Sequence, residues 1–303
     1  MTHFYSLNEY CRNQFGHKLY KLSLDGGMSC PNRDGKIGTR GCIFCSTEGS
    51  GDFAEKRCND ISAQIENAKN RVAHKNKNGK YIAYFQSYTN TYAPVDYLRN
   101  IFFQAVNHPD IEVLSIATRP DCINANIVEL LSEINRIKPV WVELGFQTSN
   151  EKTAEYIRRG YKNDTFTTAV NLLNDAKIKT VAHVILGLPN ENINDMENTV
   201  NFVCSNGIWG IKLHLLHVLK NTDLADEYQN GKFKCMEKDE YLSNVCRILE
   251  LIPANIVIHR LTGDGDKKKL IAPIWSGNKK DVLNSLSAML REKNIVQGSL
   301  CIK

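Results

Sequence analysis

Cys30-Pro-Asn-Arg-Asp-Gly-Lys-Ile-Gly-Thr-Arg-Gly-Cys-Ile-Phe-Cys45 follows closely on a short apolar run, Leu19–Leu24, that reads as a strand. The same rhythm continues down the chain. Further strands are expected at Tyr81–Phe85, Val113–Ala117, Val140–Phe146, Thr180–Leu186 and Ile211–Val218. Between them, amphipathic spacing predicts helices over Ile61–His74, Val95–Val106, Ala125–Ile137, Lys152–Arg158, Thr165–Ala176 and Met196–Cys204. Asp60 and Asn124 stand where helix caps belong, and Asp164 precedes another periodic run. Strand–helix alternation argues for a parallel sheet covered by its crossovers. About six such units make an incomplete relative of the eight-unit barrel, an α/β partial (β/α)6 barrel. In such barrels chemistry gathers where strands end, and each unusual motif here falls there. Residues 1–220 are read as the barrel and 221–303 as an extension packed on it, with a helix from Asp239 to Leu251, a short strand at Ile256–Arg260 and a last helix from Asp281.

Cysteine usage sets the chemistry. Of the 10 cysteines only Cys30, Cys42 and Cys45 cluster; Cys11, Cys58, Cys122, Cys204, Cys235, Cys246 and Cys301 are scattered. One tight group points to metal or redox chemistry rather than to a disulfide frame. An iron–sulfur cube usually takes four protein thiolates. Three leave one iron for an outside ligand, the arrangement that binds S-adenosylmethionine through its amino and carboxylate groups and cleaves it reductively. Zinc is an alternative, but it favours four ligands, often as two pairs; here His17 or Cys58 would have to complete the set. A dithiol pair, Cys42 with Cys45, leaves Cys30 unexplained. Phe44, inside the loop, is suited to lining the cleft and covering an adenine ring.

Composition limits the rest. A hydrophobic fraction of 42% over 303 residues supports one large core. No apolar run reaches the length of a membrane span, and the first ten residues lack the layout of a signal peptide. A cytoplasmic protein is expected. The net charge of +5 permits an RNA partner without requiring one.

Tyr20-Lys-Leu-Ser-Leu-Asp-Gly-Gly-Met-Ser-Cys30, Gly41-Cys-Ile-Phe-Cys-Ser46, Gly49-Ser-Gly-Asp-Phe-Ala54 and Tyr84-Phe-Gln-Ser-Tyr-Thr89 carry a resemblance. It extends through Ala117-Thr-Arg-Pro-Asp121, Glu143-Leu-Gly-Phe-Gln-Thr148, His183-Val-Ile-Leu-Gly-Leu-Pro189, Lys212-Leu-His-Leu-Leu-His217 and Leu270-Ile-Ala-Pro-Ile-Trp-Ser276. In these the chain resembles radical S-adenosylmethionine proteins of the YhcC/YtqA type, relatives of the elongator catalytic subunit. The resemblance implies a [4Fe-4S] cluster on Cys30, Cys42 and Cys45, bound S-adenosylmethionine, and an outside reductant such as flavodoxin or ferredoxin.

Residue roles follow in part from it. The family's glycine-rich turn after the second strand is replaced by Gln86-Ser-Tyr-Thr89, so Gln86, Ser87 and Thr89 become the candidates for the methionine amine. Glu143, a carboxylate near the end of the fourth strand, suits ribose hydroxyls or the ammonium group. By resemblance to the wider superfamily Gln147 also faces the ribose, and His183 takes the place of a ribose-contacting acid. Analogy with oxygen-independent coproporphyrinogen oxidases assigns the methionine carboxylate to Arg159, whose guanidinium can grip it bidentately. Arg119 with Asp121, and Lys212 with His214 on one strand face, are candidates for the substrate side. Lys267 and its neighbours flank Trp275, a grouping suited to phosphate contact and base stacking.

The expected chemistry is homolysis of the sulfonium to a 5′-deoxyadenosyl radical that abstracts hydrogen from an unactivated carbon. By resemblance, the substrate is tRNA, with a carboxymethylaminomethyl group on the wobble uridine shortened to aminomethyl. A small metabolite or a protein is the alternative substrate, and a metal-stabilised RNA-binding protein without catalysis is the reading from outside enzymology.

Overall fold

The computed structural model describes residues 3–46, 49, 54–55, 60–73, 79–263 and 265–301. Cys58 and residues 50–53 of the Gly49–Ala54 motif lie outside them. In chain order the elements are α1 (Leu7–Phe15), β1 (Tyr20–Leu24), α2 (Ile61–Val72), β2 (Tyr81–Phe85), α3 (Val95–Asn107), β3 (Ile111–Thr118), α4 (Ala125–Asn135), β4 (Val140–Gln147) and α5 (Glu151–Tyr156). Then come α6 (Asn163–Asp175), β5 (Lys179–Leu186), α7 (Ile193–Ser205), β6 (Gly210–Leu215), β7 (Val218–Leu219), α8 (Asp223–Gln229), α9 (Lys238–Leu251), β8 (Val257–Arg260), β9 (Leu270–Ala272) and α10 (Lys279–Glu292).

Strands β1 to β6 pair in sequence order, every neighbour parallel, and β8 adds beyond β6 to make seven. That the sheet curls follows from one side chain. Glu143 of β4 is reached by Lys21 of β1 and by Lys212 of β6. In a flat sheet β1 and β4 would stand about 14 Å apart, beyond a lysine's span. The architecture is therefore a partial barrel, as the alternation predicts, with one correction. Ile256–Arg260, assigned from sequence to the extension, supplies the seventh strand of the barrel itself. The predicted sixth strand is also shorter, because the chain leaves β6 at Leu215 and β7 turns away to pair antiparallel with β9.

Both faces of the sheet are covered, which is why its strands read as nearly continuous apolar runs. Outward residues such as Leu22, Phe85, Leu114, Leu144, Val184 and Leu213 are buried against the helices. Tyr241, Leu249 and Leu286, from the predicted extension, join the same core, so α9 and α10 share the core of the barrel. The base of the barrel is closed by α1, which sequence reading left out. Its Tyr10 meets Trp141 and Trp209 edge-on at 6.0 and 4.8 Å.

Caps follow local chemistry. Asp60 and Asn124 accept from the backbone N–H groups of Ala63 and Ile127, as expected. Asp164 instead lies inside the first turn of α6, where its charge complements the helix dipole. Asn192 and Asp195 form a reciprocal box at the start of α7, with Asn192 Oδ1 accepting from Asp195 N at 3.4 Å and Asp195 Oδ2 accepting from Asn192 N at 3.0 Å. Asn192→Ala is expected to cost about 1 kcal/mol, read as a lower urea midpoint with an unchanged slope. An unshifted midpoint would show that the box contributes nothing.

Among the described residues, no helix is long and apolar enough to cross a membrane.

Candidate active site

The thiol loop springs from the C-terminal end of β1. Its first turn is tied by Arg33 N and Asp34 N, both donating to Cys30 O at 2.8 and 3.1 Å. Gly41, at φ +72°, lets the chain double back so that its N–H reaches Asn32 O at 2.7 Å; a Cβ there would meet Arg33 Nε at 2.8 Å. Arg33 spans the loop, donating to the carbonyls of Cys45 (3.0 Å) and Ser46 (2.7 Å). Asn32 donates to Arg158 O at 2.6 Å and lies 3.6 Å from Cys42 Sγ.

Cys30, Cys42 and Cys45 are half-buried and outside any disulfide. Burial, and then the neighbouring Cys45, push the Cys42 thiol up to about 12, with Arg119 opposing and Cys30 reinforcing the shift. Such thiols ionise together only beside a compensating positive centre. Among the described residues the three sulfurs do not all lie within 4.8 Å of one another, wider than the roughly 3.8 Å that tetrahedral zinc would impose.

The turn after β2 leans on this loop. Ser87 and Tyr88 adopt φ of +80° and +56°, a left-handed backbone that costs non-glycine residues roughly 1–2 kcal/mol each. The turn thus has the backbone of a glycine pair without the glycines. Thr89 N donates to Ser29 O at 3.1 Å, and the buried Thr89 Oγ1 has no hydrogen-bond partner among the described residues. Gln86 is half-buried at the mouth, its N–H donating to Leu24 O at 3.2 Å. Phe44 packs half-buried on a cluster with Ile43, Ile157, Leu216 and Leu224, and Leu224 N donates to Ile43 O at 3.0 Å.

Gln147 ends β4 at φ +73°. Arg119 lies beside the thiols, gripping Asp121 bidentately at 2.9 and 2.8 Å with its guanidinium 5.1 Å from the Tyr161 ring. Arg159 departs from expectation. It is almost fully buried, and its N–H groups are directed at the carbonyls of Phe146, Thr148 and Tyr161 and at Asn163 Oδ1. A guanidinium so occupied clamps the β4 end and presents no free fork to a ligand carboxylate. Trp275 departs too. Its Nε1 donates to Met236 O at 3.1 Å and its ring packs 5.7 Å from Tyr241, so the indole faces the core rather than a base; Lys267 is exposed.

Glu143 is mid-strand rather than at the mouth, and it is fully buried inside the barrel. It accepts from Lys21 Nζ at 2.5 Å, Ser115 Oγ at 2.6 Å, and Lys212 Nζ; His183 Nε2 lies 2.8 Å away. These partners saturate the carboxylate, so the role expected for Glu143, contact with the cofactor, passes to nothing visible at that oxygen pair. Burial pushes its carboxyl up, but Lys21 and Lys212 more than offset this and hold it well below the usual carboxylate range. Burial lowers Lys212, and Lys21 and Arg260 add to that against the pull of Glu143. The two directions agree physically: one anion shared among several cations stays ionised, while the cations disfavour one another.

Tyr84 OH, 3.3 Å from Lys212 Nζ, joins this layer, as do His214, whose ring is 5.1 Å from that of His183, and His259 and Arg260. A register shift between Ile211 and Lys212 turns Arg260 inward beside Lys212. Of this layer, sequence reasoning singled out Glu143, His183, Lys212 and His214, and missed Lys21, Tyr84, Ser115, His259 and Arg260. A signal existed: each of Lys21, Tyr84 and Ser115 is a polar group at the inward phase of an apolar strand.

The imidazoles give an expected pH dependence. Burial lowers His183 to about 4 from 6.5, Lys212 adding to it and Glu143 opposing. His214 and His259 are held down in the same direction, burial first in each case. The unfolded chain therefore binds more protons below pH 6.5, and stability present above that value is lost as pH falls toward 4. The slope reaches about 1.4 kcal/mol per pH unit for each imidazole. Urea midpoints at pH 7 and 5 check it; a flat profile would mean that these rings are protonated in the fold.

Residues 35–203 match the model of the radical SAM superfamily, and residues 208–292 match that of the radical SAM C-terminal domain. YtqA of Bacillus subtilis (strain 168) is 44% identical over 97% of this chain and 92% of its own length. YhcC of Escherichia coli (strain K12) is 36% identical over 94% of this chain and 91% of its own. Among solved structures, archaeal Methanocaldococcus infernus Elp3 with an N-terminal deletion superposes with a TM-score of 0.70 at 14% identity. That match covers 92% of this chain and 64% of the Elp3 chain, and it shows a shared fold alone. A three-thiol loop on a partial barrel, and these matches over most of the sequence, place the protein in the radical S-adenosylmethionine superfamily, in the group of YtqA and YhcC.

Proposed function

We propose that this protein is a tRNA-modifying radical S-adenosylmethionine enzyme that shortens the carboxymethylaminomethyl group of a wobble uridine to aminomethyl. The superfamily implies a [4Fe-4S] cluster and S-adenosylmethionine, and the residues present fit both. Cys30, Cys42 and Cys45 would hold the cluster, with Asn32 beside the Cys42 sulfur. The orphaned Thr89 hydroxyl is a ready partner for the methionine end of the nucleoside. When bound, the pair supplies a primary carbon radical. Hydrogen abstraction from the carbon between nitrogen and carboxylate would leave a radical that the nitrogen stabilises; loss of one further electron to an outside one-electron acceptor would give an imine, and addition of water would break the carbon–nitrogen bond, releasing glyoxylate and leaving the aminomethyl group. The chain's own contribution is to orient the reactants.

The observation that carries the tRNA reading is the charge of the rim. The thiol loop exposes Lys36, and the chain that packs on it through Leu224 exposes Lys220, Lys267 and Lys268 around the β7–β9 ribbon, while Arg40 is paired with Asp223 at 2.8 Å. Cations on the very elements that enclose the thiols suit a polyanion whose base enters the mouth. A small-metabolite substrate would leave that rim without a role.

Nucleoside mass spectrometry of tRNA from cells with and without the protein tests this. Loss of the protein should raise carboxymethylaminomethyl-uridine and deplete aminomethyl-uridine and its products. An unchanged profile in cells that express the protein overturns the reading.

A further inference from the structure

Ser87 and Tyr88 are, among the described residues, the one pair of adjacent non-glycine residues that both take a positive φ. Something must hold them there. The peptide that joins them is pinned at both ends: Tyr88 N donates to Gly49 O at 3.0 Å, and Ser87 O accepts from Asn90 Nδ2 at 3.0 Å. Turning this peptide over would carry Tyr88 from φ +56° into the ordinary negative region and relieve its strain. It would also break both hydrogen bonds and bring the Ser87 carbonyl to face that of Gly49. The two bonds therefore oppose the relaxation that local sterics favour. Asn90 is the holder anchored in the sheet. It is fully buried, and its Nδ2 also donates at 2.9 Å to Ala117 O of β3, which Asn90 N reaches at 3.1 Å. Exchanging the oxygen and nitrogen of this amide would set Oδ1 against two carbonyls, so its partners fix its orientation. On either side, Thr89 N donates to Ser29 O at 3.1 Å and Thr91 Oγ1 donates to Cys122 O at 2.8 Å. Asn90 thus has little freedom to follow a turning peptide.

We propose that Asn90 is a positioning residue for S-adenosylmethionine: its side-chain amide locks the Ser87–Tyr88 peptide in the left-handed setting that receives the methionine end. It does for two residues with side chains what glycines do unaided. Being fully buried, Asn90 acts through the turn and does not itself touch the ligand. This inference rests on the placing of the methionine end at this turn and is independent of the tRNA substrate.

The test uses anaerobic, cluster-loaded protein with the cluster oxidised, so that S-adenosylmethionine binds without being cleaved. Asn90→Ala is expected to weaken that binding at least about tenfold in equilibrium dialysis, because apparent affinity falls with the fraction of turns still correctly set. Before the nucleoside is added, the Tyr88 N–H of the variant should exchange with deuterium at least about tenfold faster. Asn90→Ser, which keeps a polar atom in the buried site but cannot span both carbonyls, is expected to give the same readings. In a Tyr88→Gly background, where a positive φ carries no side-chain strain, Asn90→Ala should weaken binding by less than about threefold. Binding by both Asn90 variants within about twofold of the natural protein overturns the proposal, as does an equal loss in the two backgrounds. Two mixed results also overturn it and separate its parts. Faster exchange with unchanged binding would keep the lock and move the methionine end away from this turn. Unchanged exchange with weakened binding would remove the lock and leave the methionine end where it is placed.

Discussion

Replacing Cys30, Cys42 or Cys45 by alanine is expected to leave a folded protein that no longer cleaves S-adenosylmethionine. Iron retained after anaerobic reconstitution should drop from about four per chain to below about one, and 5′-deoxyadenosine should fall to background. The three positions should behave alike, because each would hold one iron of the same cluster. Among the described residues Cys122 is a rival, close enough for its thiol to feel the charge at Cys30. Yet it belongs to the short helical turn after β3, whose backbone is fixed by Cys122 N donating to Arg119 O at 3.1 Å. Cys204→Ala, on α7, is the control and should keep its iron. Asn32→Ala should fall between these limits, losing about 10–100-fold in cluster affinity or activity, as outer partners of metal ligands usually do. Full iron and full cleavage in any of the three thiol variants would remove the basis for the proposed chemistry.

Glu143→Ala is expected to be the most destabilising single substitution in the barrel, at about 3–5 kcal/mol. The loss is not that of a favourable pair alone. It leaves Lys21 and Lys212 facing one another across the interior without a counter-charge, and it strips Ser115 Oγ and His183 of their partner. Because the Glu143 carboxyl is held below its ordinary range, its contribution is fully present above the unfolded value near 4.5. It disappears only as pH falls through the lower, folded value, so the deficit of the variant should be the same at pH 7 and pH 5.5 and should shrink in stronger acid. Urea unfolding at these pH values measures it. A deficit under about 1 kcal/mol would mean that the layer is as well screened as a surface ion pair.

Much of this was legible along the chain. The strands announce themselves because the face packed against the helices must be apolar, as in Leu22, Phe85, Leu114, Leu144, Val184 and Leu213. The thiol loop was legible because its three cysteines and glycines are local. Arg159 and Trp275 were misjudged for a common reason: a side chain's chemistry says what it can bind, whereas its partners decide whether it is free to do so. The carbonyls around Arg159 come from the end of β4, at Phe146 and Thr148, and from Tyr161 beyond α5, and no spacing rule joins the two segments.

The sequence by itself determined the alternation, the barrel it implies and the three-thiol loop, because each depends on residues within one element or one loop. Only the tertiary structure decided that Val257–Arg260 adds a seventh strand at the edge of the sheet, that α1 closes its base, and that Glu143 is the hub of an interior layer rather than a ligand at the mouth. The physical reason is curvature. Lys21, Glu143 and Lys212 are far apart in sequence and on different strands, and they meet only because the sheet bends them onto a common axis.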